Sequence, residues 1–91
     1  MDTLIARHVV VSGRVQGVGF RYRLEQEAAA AGLSGWARNT SEGTVEAVLE
    51  GPPSAVGDVL GWMRHGPRDA VVASVDVRDV APRGHAGFVI R

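Results

Sequence analysis

Between Val11 and Arg21 the chain reads V-S-G-R-V-Q-G-V-G-F-R: an apolar strand, a glycine-spaced loop, then an arginine where a helix should begin. That order suits the holding of a phosphate. Gly13, Gly17 and Gly19 let the backbone turn tightly and bring its N–H groups close to an anion. The first turn of the following helix adds unpaired N–H groups and the positive end of its dipole. Arg21 can then supply a planar, permanently charged fork that grips two oxygens at once.

Several phosphate chemistries are excluded by what the loop lacks. The chain contains no Lys, so the G-x-x-x-x-G-K-[ST] loop of nucleotide triphosphatases cannot be built. It contains no Cys, which removes a thiolate phosphatase nucleophile. Gly17-Val18-Gly19 resembles the start of a dinucleotide fingerprint, but Tyr22 stands where its third glycine belongs. The loop should therefore bind a small phosphate group without capturing it covalently through sulfur.

These residues must be positioned by a small scaffold. Ninety-one residues make one domain spanning 1–91, able to bury roughly 60–65% of its unfolded surface in a two-layer core. No apolar run approaches a membrane span, and Met1-Asp2-Thr3 does not open a signal peptide. The absence of Cys fits a cytoplasmic location. The formal net charge of zero argues against general affinity for nucleic acid. Charge is nevertheless uneven. Arg7, Arg14, Arg21 and Arg23 precede Glu25 with no acid among them, whereas Glu42, Glu46 and Glu50 follow later. A locally positive loop on a neutral protein suits a small anion better than a polyanion.

The element order is βαββαβ. His8-Val9-Val10-Val11, within Arg7 to Gly13, suits a buried strand. From about Arg21 to Ala31 the spacing of Phe20, Leu24, Ala28 and Ala31 gives one apolar helical face, and Gly32 followed by Leu33 provides the stop. Gly35 to Asn39 and Thr44 to Glu50 predict a hairpin around Thr40-Ser41-Glu42-Gly43. In its second strand Val45, Ala47 and Leu49 alternate with Glu46, Val48 and Glu50, so Glu46 and Glu50 read as solvent-facing. A second helix starts at Gly51-Pro52-Pro53-Ser54, carries Val56, Val59, Leu60 and Met63, and ends at His65-Gly66-Pro67. Gly57 and Gly61 inside it each cost about 1 kcal/mol relative to Ala, so it depends on packing. Val71 to Val80 predicts a half-solvated strand, and Gly87 to Arg91 closes the chain. Two helices on one face of a mostly antiparallel sheet, an α+β ferredoxin-like sandwich, is the economical arrangement.

The residues then resemble the acylphosphatase family. Val11 to Arg21 is similar to that family's first signature, and Gly35-Trp36-Ala37-Arg38-Asn39 with Gly43, Val45 and Gly51 is similar to its second. Phe88 to Arg91 extends the resemblance to the closing residues. It leaves open whether the terminal carboxylate of Arg91 helps to hold the arginine.

The resemblance implies hydrolysis of a small-molecule acyl phosphate to a carboxylate and inorganic phosphate, with no metal or organic cofactor. It implies that the backbone of Gln16, Gly17, Val18, Gly19, Phe20 and Arg21 cradles the phosphoryl group. Arg21 would bind that group and Asn39 would position the attacking water. Gln16 is expected to act through its N–H rather than its side chain. A monomer is expected, with no nucleic-acid or membrane partner.

Other readings of these residues are blander. Asn39 alone could start a turn, and Arg21 alone could be a surface arginine. Arg14 and Arg23 read as solvated charges, Arg38 as pointing away from the ligand, and Trp36 and Trp62 as packing. His8, His65 and His85 have no metal-like spacing. A non-catalytic anion-binding module and an RNA-binding module of the same topology are the competing readings. The second requires its aromatics on a central strand, not in a loop before a helix. The same domain attached to a larger maturation enzyme would be accompanied by cysteine-rich zinc modules.

Overall fold

The computed structural model describes residues 3–91. The chain forms β1 (Ile5–Arg14), α1 (Phe20–Ala30), β2 (Ser34–Asn39), β3 (Val45–Gly51), α2 (Pro53–Met63), β4 (Val71–Val80) and β5 (Phe88–Ile90). The sheet order is β4-β1-β3-β2-β5. The β1·β3, β1·β4 and β2·β3 pairs are antiparallel, as the alternating pattern of a one-sided sheet requires. The short fifth strand, β5, joins the edge parallel to β2.

Strand alternation sends Val9 and Val11 of β1, Ala37 of β2, and Val45, Ala47 and Leu49 of β3 to one face, where all are buried. Direct cross-strand partners such as Val9↔Ala47 and Val11↔Val45 put these side chains opposite one another. Phe20, Leu24 and Ala28 of α1 and Val56, Val59 and Met63 of α2 close the same core. Both helices therefore lie on one face, as the spacing of their apolar residues predicts. The Phe20 ring meets Trp62 at a centroid distance of 5.4 Å, which couples the two helices.

The stop after α1 follows its sequence closely. Leu33 N–H donates to the Ala28 carbonyl (2.9 Å) and Gly32 N–H to that of Ala29 (3.1 Å), the two bonds of a Schellman turn, and Leu33 is buried. β4 is more exposed than its alternation suggests: only Val72 and Val75 pack against the core. It is an edge strand beyond the reach of the helices. Among the described residues no helix is long and apolar enough to cross a membrane.

One expectation is corrected. Glu50 does not face solvent; it is 3% exposed. Residues 81–87 must cross the end of the sheet from β4 at one edge to β5 at the other, and they pass over the end of central β3. There the Glu50 carboxylate accepts N–H bonds from Arg83 (2.7 Å) and Gly84 (2.8 Å). Glu46 is also engaged rather than free. Its side chain is 18% exposed and takes hydrogen bonds from His8 (2.6 Å) and Arg38 on the open face of the sheet.

Candidate active site

β1 ends beside a bulge at Ser12/Gly13 that re-aims the chain toward the loop. Val15 is buried and anchors the loop's first residue to the core. Gly17 and Gly19 take φ of 73° and 79°, the left-handed region that only glycine enters without strain. A side chain at either would meet nothing within 4 Å, so the requirement is backbone conformation and open space above the loop.

Gly19 is the N-cap of α1, and the first helical bond runs from Arg23 N–H to its carbonyl (3.0 Å). Among the described residues, no N–H from Gln16 to Tyr22 donates to a protein acceptor. The first turn of α1 has no acidic side chain and no side-chain cap to occupy them. These donors and the positive end of the helix dipole are left without a protein partner, an arrangement suited to an anion.

Arg21 stands in that first turn and donates from Nη1 to the main-chain oxygen of Arg91 (3.1 Å). Arg91 is itself fixed: its N–H donates to Ala37 (2.8 Å), and its guanidinium carbon lies 4.4 Å from the centre of the Trp36 ring. The closing segment thus holds one edge of the Arg21 fork, which leaves the rest free for a ligand. Asn39 is the last residue of β2 and pairs with Val45. Arg21, Asn39, Gly17 and Gly19 line one cleft of about 250 Å³, completed by Val15, Phe20, Tyr22 and Ile90. Among the described residues, no carboxylate, imidazole or thiol side chain lines it.

The side chain of Gln16 makes a contact that the sequence reading did not include. Its Nε2 donates to the carbonyls of Thr40 (2.9 Å) and Thr44 (3.0 Å). Both partners are acceptors, which fixes the amide orientation. The Thr40 and Thr44 hydroxyls are also hydrogen-bonded (2.6 Å), and Thr40 N–H donates to the Thr44 carbonyl (2.9 Å). Gln16 therefore ties the loop to the hairpin that begins immediately after Asn39. No local signal could have revealed this link, because the partners are 24 and 28 residues away.

Arg14 and Arg23 are exposed, and Arg38 is turned to Glu46 rather than to the cleft. Among the described residues, no group of three or more His, Cys, Asp or Glu side chains is arranged to hold a metal ion. A shallow groove on the open sheet face, lined by His8, Val10, Asp76, Val77 and Arg78, is separate from these groups.

Comparison with known proteins agrees with this geometry. The acylphosphatase family model matches residues 7–90. An acylphosphatase from Methanothrix thermoacetophila is 49% identical over 86 residues, covering 94% of this chain and 96% of the relative. The crystal structure of acylphosphatase from Bacillus subtilis superposes with a TM-score of 0.93 at 36% identity, covering 98% of this chain and 99% of that one. Full-length HypF in its phosphate- and nucleotide-bound form contains a similar unit. There the TM-score is 0.94 at 26% identity, over 100% of this chain and 12% of HypF.

Proposed function

The chain belongs to the acylphosphatase family and hydrolyses acyl phosphates, and from that premise we propose how its residues divide the work. The free N–H groups of residues 16–21 cradle the phosphoryl oxygens. Arg21, steadied by Arg91, places its remaining N–H donors on the same group. Asn39 orients a water for in-line attack, its side-chain carbonyl accepting a hydrogen bond from the water. Residues 1–91 act as one catalytic unit, and a cytoplasmic, monomeric enzyme belongs to the same proposal.

Phosphoryl transfer proceeds through a loose transition state, so positioning and electrostatic stabilisation supply most of the rate. The water oxygen bonds to phosphorus as the bond from phosphorus to the acyl oxygen breaks. A carboxylate is a good leaving group and needs no acid to protonate it. With no carboxylate or imidazole side chain lining the cleft among the described residues, the water's proton passes to a phosphoryl oxygen of the substrate itself. The products are a carboxylate and inorganic phosphate.

One observation carries this reading: unpaired N–H donors, Arg21 and Asn39 meet in one cleft that, among the described residues, holds no side-chain base. The test is benzoyl phosphate hydrolysis with a chelator present. Arg21→Ala is expected to lower kcat/KM by about a thousandfold or more. Asn39→Ala is expected to lower kcat by about a hundredfold. Both variants should stay folded by circular dichroism. A folded native protein that binds phosphate without turnover would leave a non-catalytic anion-binding module instead.

A further inference from the structure

The groups assigned to the phosphoryl oxygens are mostly backbone N–H donors, so whatever fixes this backbone also fixes the site. Of residues 16–21 only Phe20 is fully buried, and it is the first residue of α1. It stands between Gly19, whose carbonyl receives the first helical bond, and Arg21. A displacement of the Phe20 ring therefore carries the last amides of the cradle and the base of the Arg21 side chain with it.

That ring is held from outside the cleft. Trp62, in the last turn of α2, meets it in a tilted pair, with centroids 5.4 Å apart and planes at 53°. Gly66 closes on it as well: a Cβ there would stand 2.6 Å from Phe20 Cε2 and 3.0 Å from Cδ2, nearer than a close-packed ring tolerates. Gly66 is in turn pinned to Trp62, whose carbonyl accepts N–H bonds from Gly66 (2.8 Å) and His65 (3.0 Å). A further turn, from Ala70 N–H to the Pro67 carbonyl (3.0 Å), folds Ala70 back to the same spot, 3.2 Å from where a Cβ on Gly66 would lie. Neither Trp62 nor Gly66 lines the cleft.

We propose that Trp62 and Gly66 are positioning residues for phosphoryl binding: by clamping the Phe20 ring they set where the cradle amides and Arg21 stand. The proposal rests on the placement of the phosphoryl group at residues 16–21. It gives α2, which contributes no residue to the cleft, a part in the reaction through its last turn. The clamp does not touch substrate, so its effect is on how well the donors converge on the phosphate rather than on any step of proton or group transfer.

The test measures kcat and KM for benzoyl phosphate and the inhibition constant of inorganic phosphate, each per folded molecule, with urea unfolding giving the folded fraction. Trp62→Ala is expected to raise the phosphate inhibition constant about fivefold and to lower kcat/KM about tenfold, since small misplacements of binding groups are costly. Trp62→Phe keeps a ring against Phe20 and is expected to hold both within about twofold of the native values. Gly66→Ala, which drives a methyl group into the ring, should move the same constants in the same direction as Trp62→Ala. Val56→Ala is the control for the helix as a whole: it deletes a buried side chain in the first turn of α2, about 9 Å along the axis from Trp62. It should lose stability with both constants unchanged. If Trp62→Ala loses stability but keeps both constants within about twofold of native, the ring pair serves folding alone and the proposal is overturned. Equal changes in Val56→Ala would overturn it too, as a general loosening of α2. Should Trp62→Ala not fold, Trp62→Leu takes its place under the same criteria. Arg21→Ala tests the underlying reading: if it leaves turnover and the phosphate inhibition constant unchanged, the phosphoryl placement has failed rather than the clamp.

Discussion

Gln16 shows how much one amide can add to a site that it does not line. Its two N–H bonds to Thr40 and Thr44 set the distance between the loop that cradles the phosphoryl group and the turn that follows Asn39. In the proposed mechanism the nucleophilic water and the phosphorus would thereby be held in one frame. Gln16→Ala removes both donors and is expected to lower kcat/KM roughly tenfold, since small misplacements of reacting groups are costly. It should also cost about 1–2 kcal/mol of stability in urea unfolding. Loss of stability with kinetics unchanged would show that the tie serves folding alone. Arg21 and Asn39 were recognisable from their types and motif positions. The Gln16 side chain was not, because a glutamine's partners are decided by whatever the fold brings beside it.

Elements differ in how far their sequence determines them. α1 and its Schellman stop follow from apolar spacing and Gly32, whereas α2 contains Gly57 and Gly61 and is held by the burial of Val56, Val59 and Met63. The three central strands are joined on their open face by Glu46, which His8 of β1 and Arg38 of β2 both approach. A carboxylate can only accept, so His8 Nε2 carries the hydrogen. That bond foremost, with Arg38 adding to it and partial burial opposing, holds the Glu46 carboxyl below its ordinary value of 4.5. A depressed folded-state pKa contributes stability that is present above the unfolded value and lost as pH falls through the folded one. The unfolding free-energy difference between the native protein and Glu46→Gln should therefore shrink as pH falls from about 5 to 3. A difference that stays constant over that interval would contradict the link.

Across the whole molecule, the end of the sheet remote from the loop is tied to the active arginine. Glu50 clasps the segment from β4 to β5, β5 lies along β2, and Arg91 after it meets Arg21. Glu50→Gln sets an amide NH₂ against one of two N–H donors and should cost about 1–3 kcal/mol. By loosening β5 it is also expected to lower kcat/KM about threefold, since Arg21 loses its fixed partner. Full activity at reduced stability would show that β5 is seated without the clasp. The sequence by itself determined the element order, the core faces and the glycine-spaced loop with Arg21 at the start of α1. Those features are local: periodicity, glycines that permit positive φ, and residue types in short spacings. Only the tertiary structure decided that Glu50 is buried, that β5 runs parallel to β2, and that Gln16 reaches the hairpin. It alone placed Tyr22 and Ile90 in the lining of the cleft that Arg21 and Asn39 also line. Each of these depends on residues far apart in the chain meeting at one point, and hydrophobic alternation carries no record of which loop will cross above a strand's end.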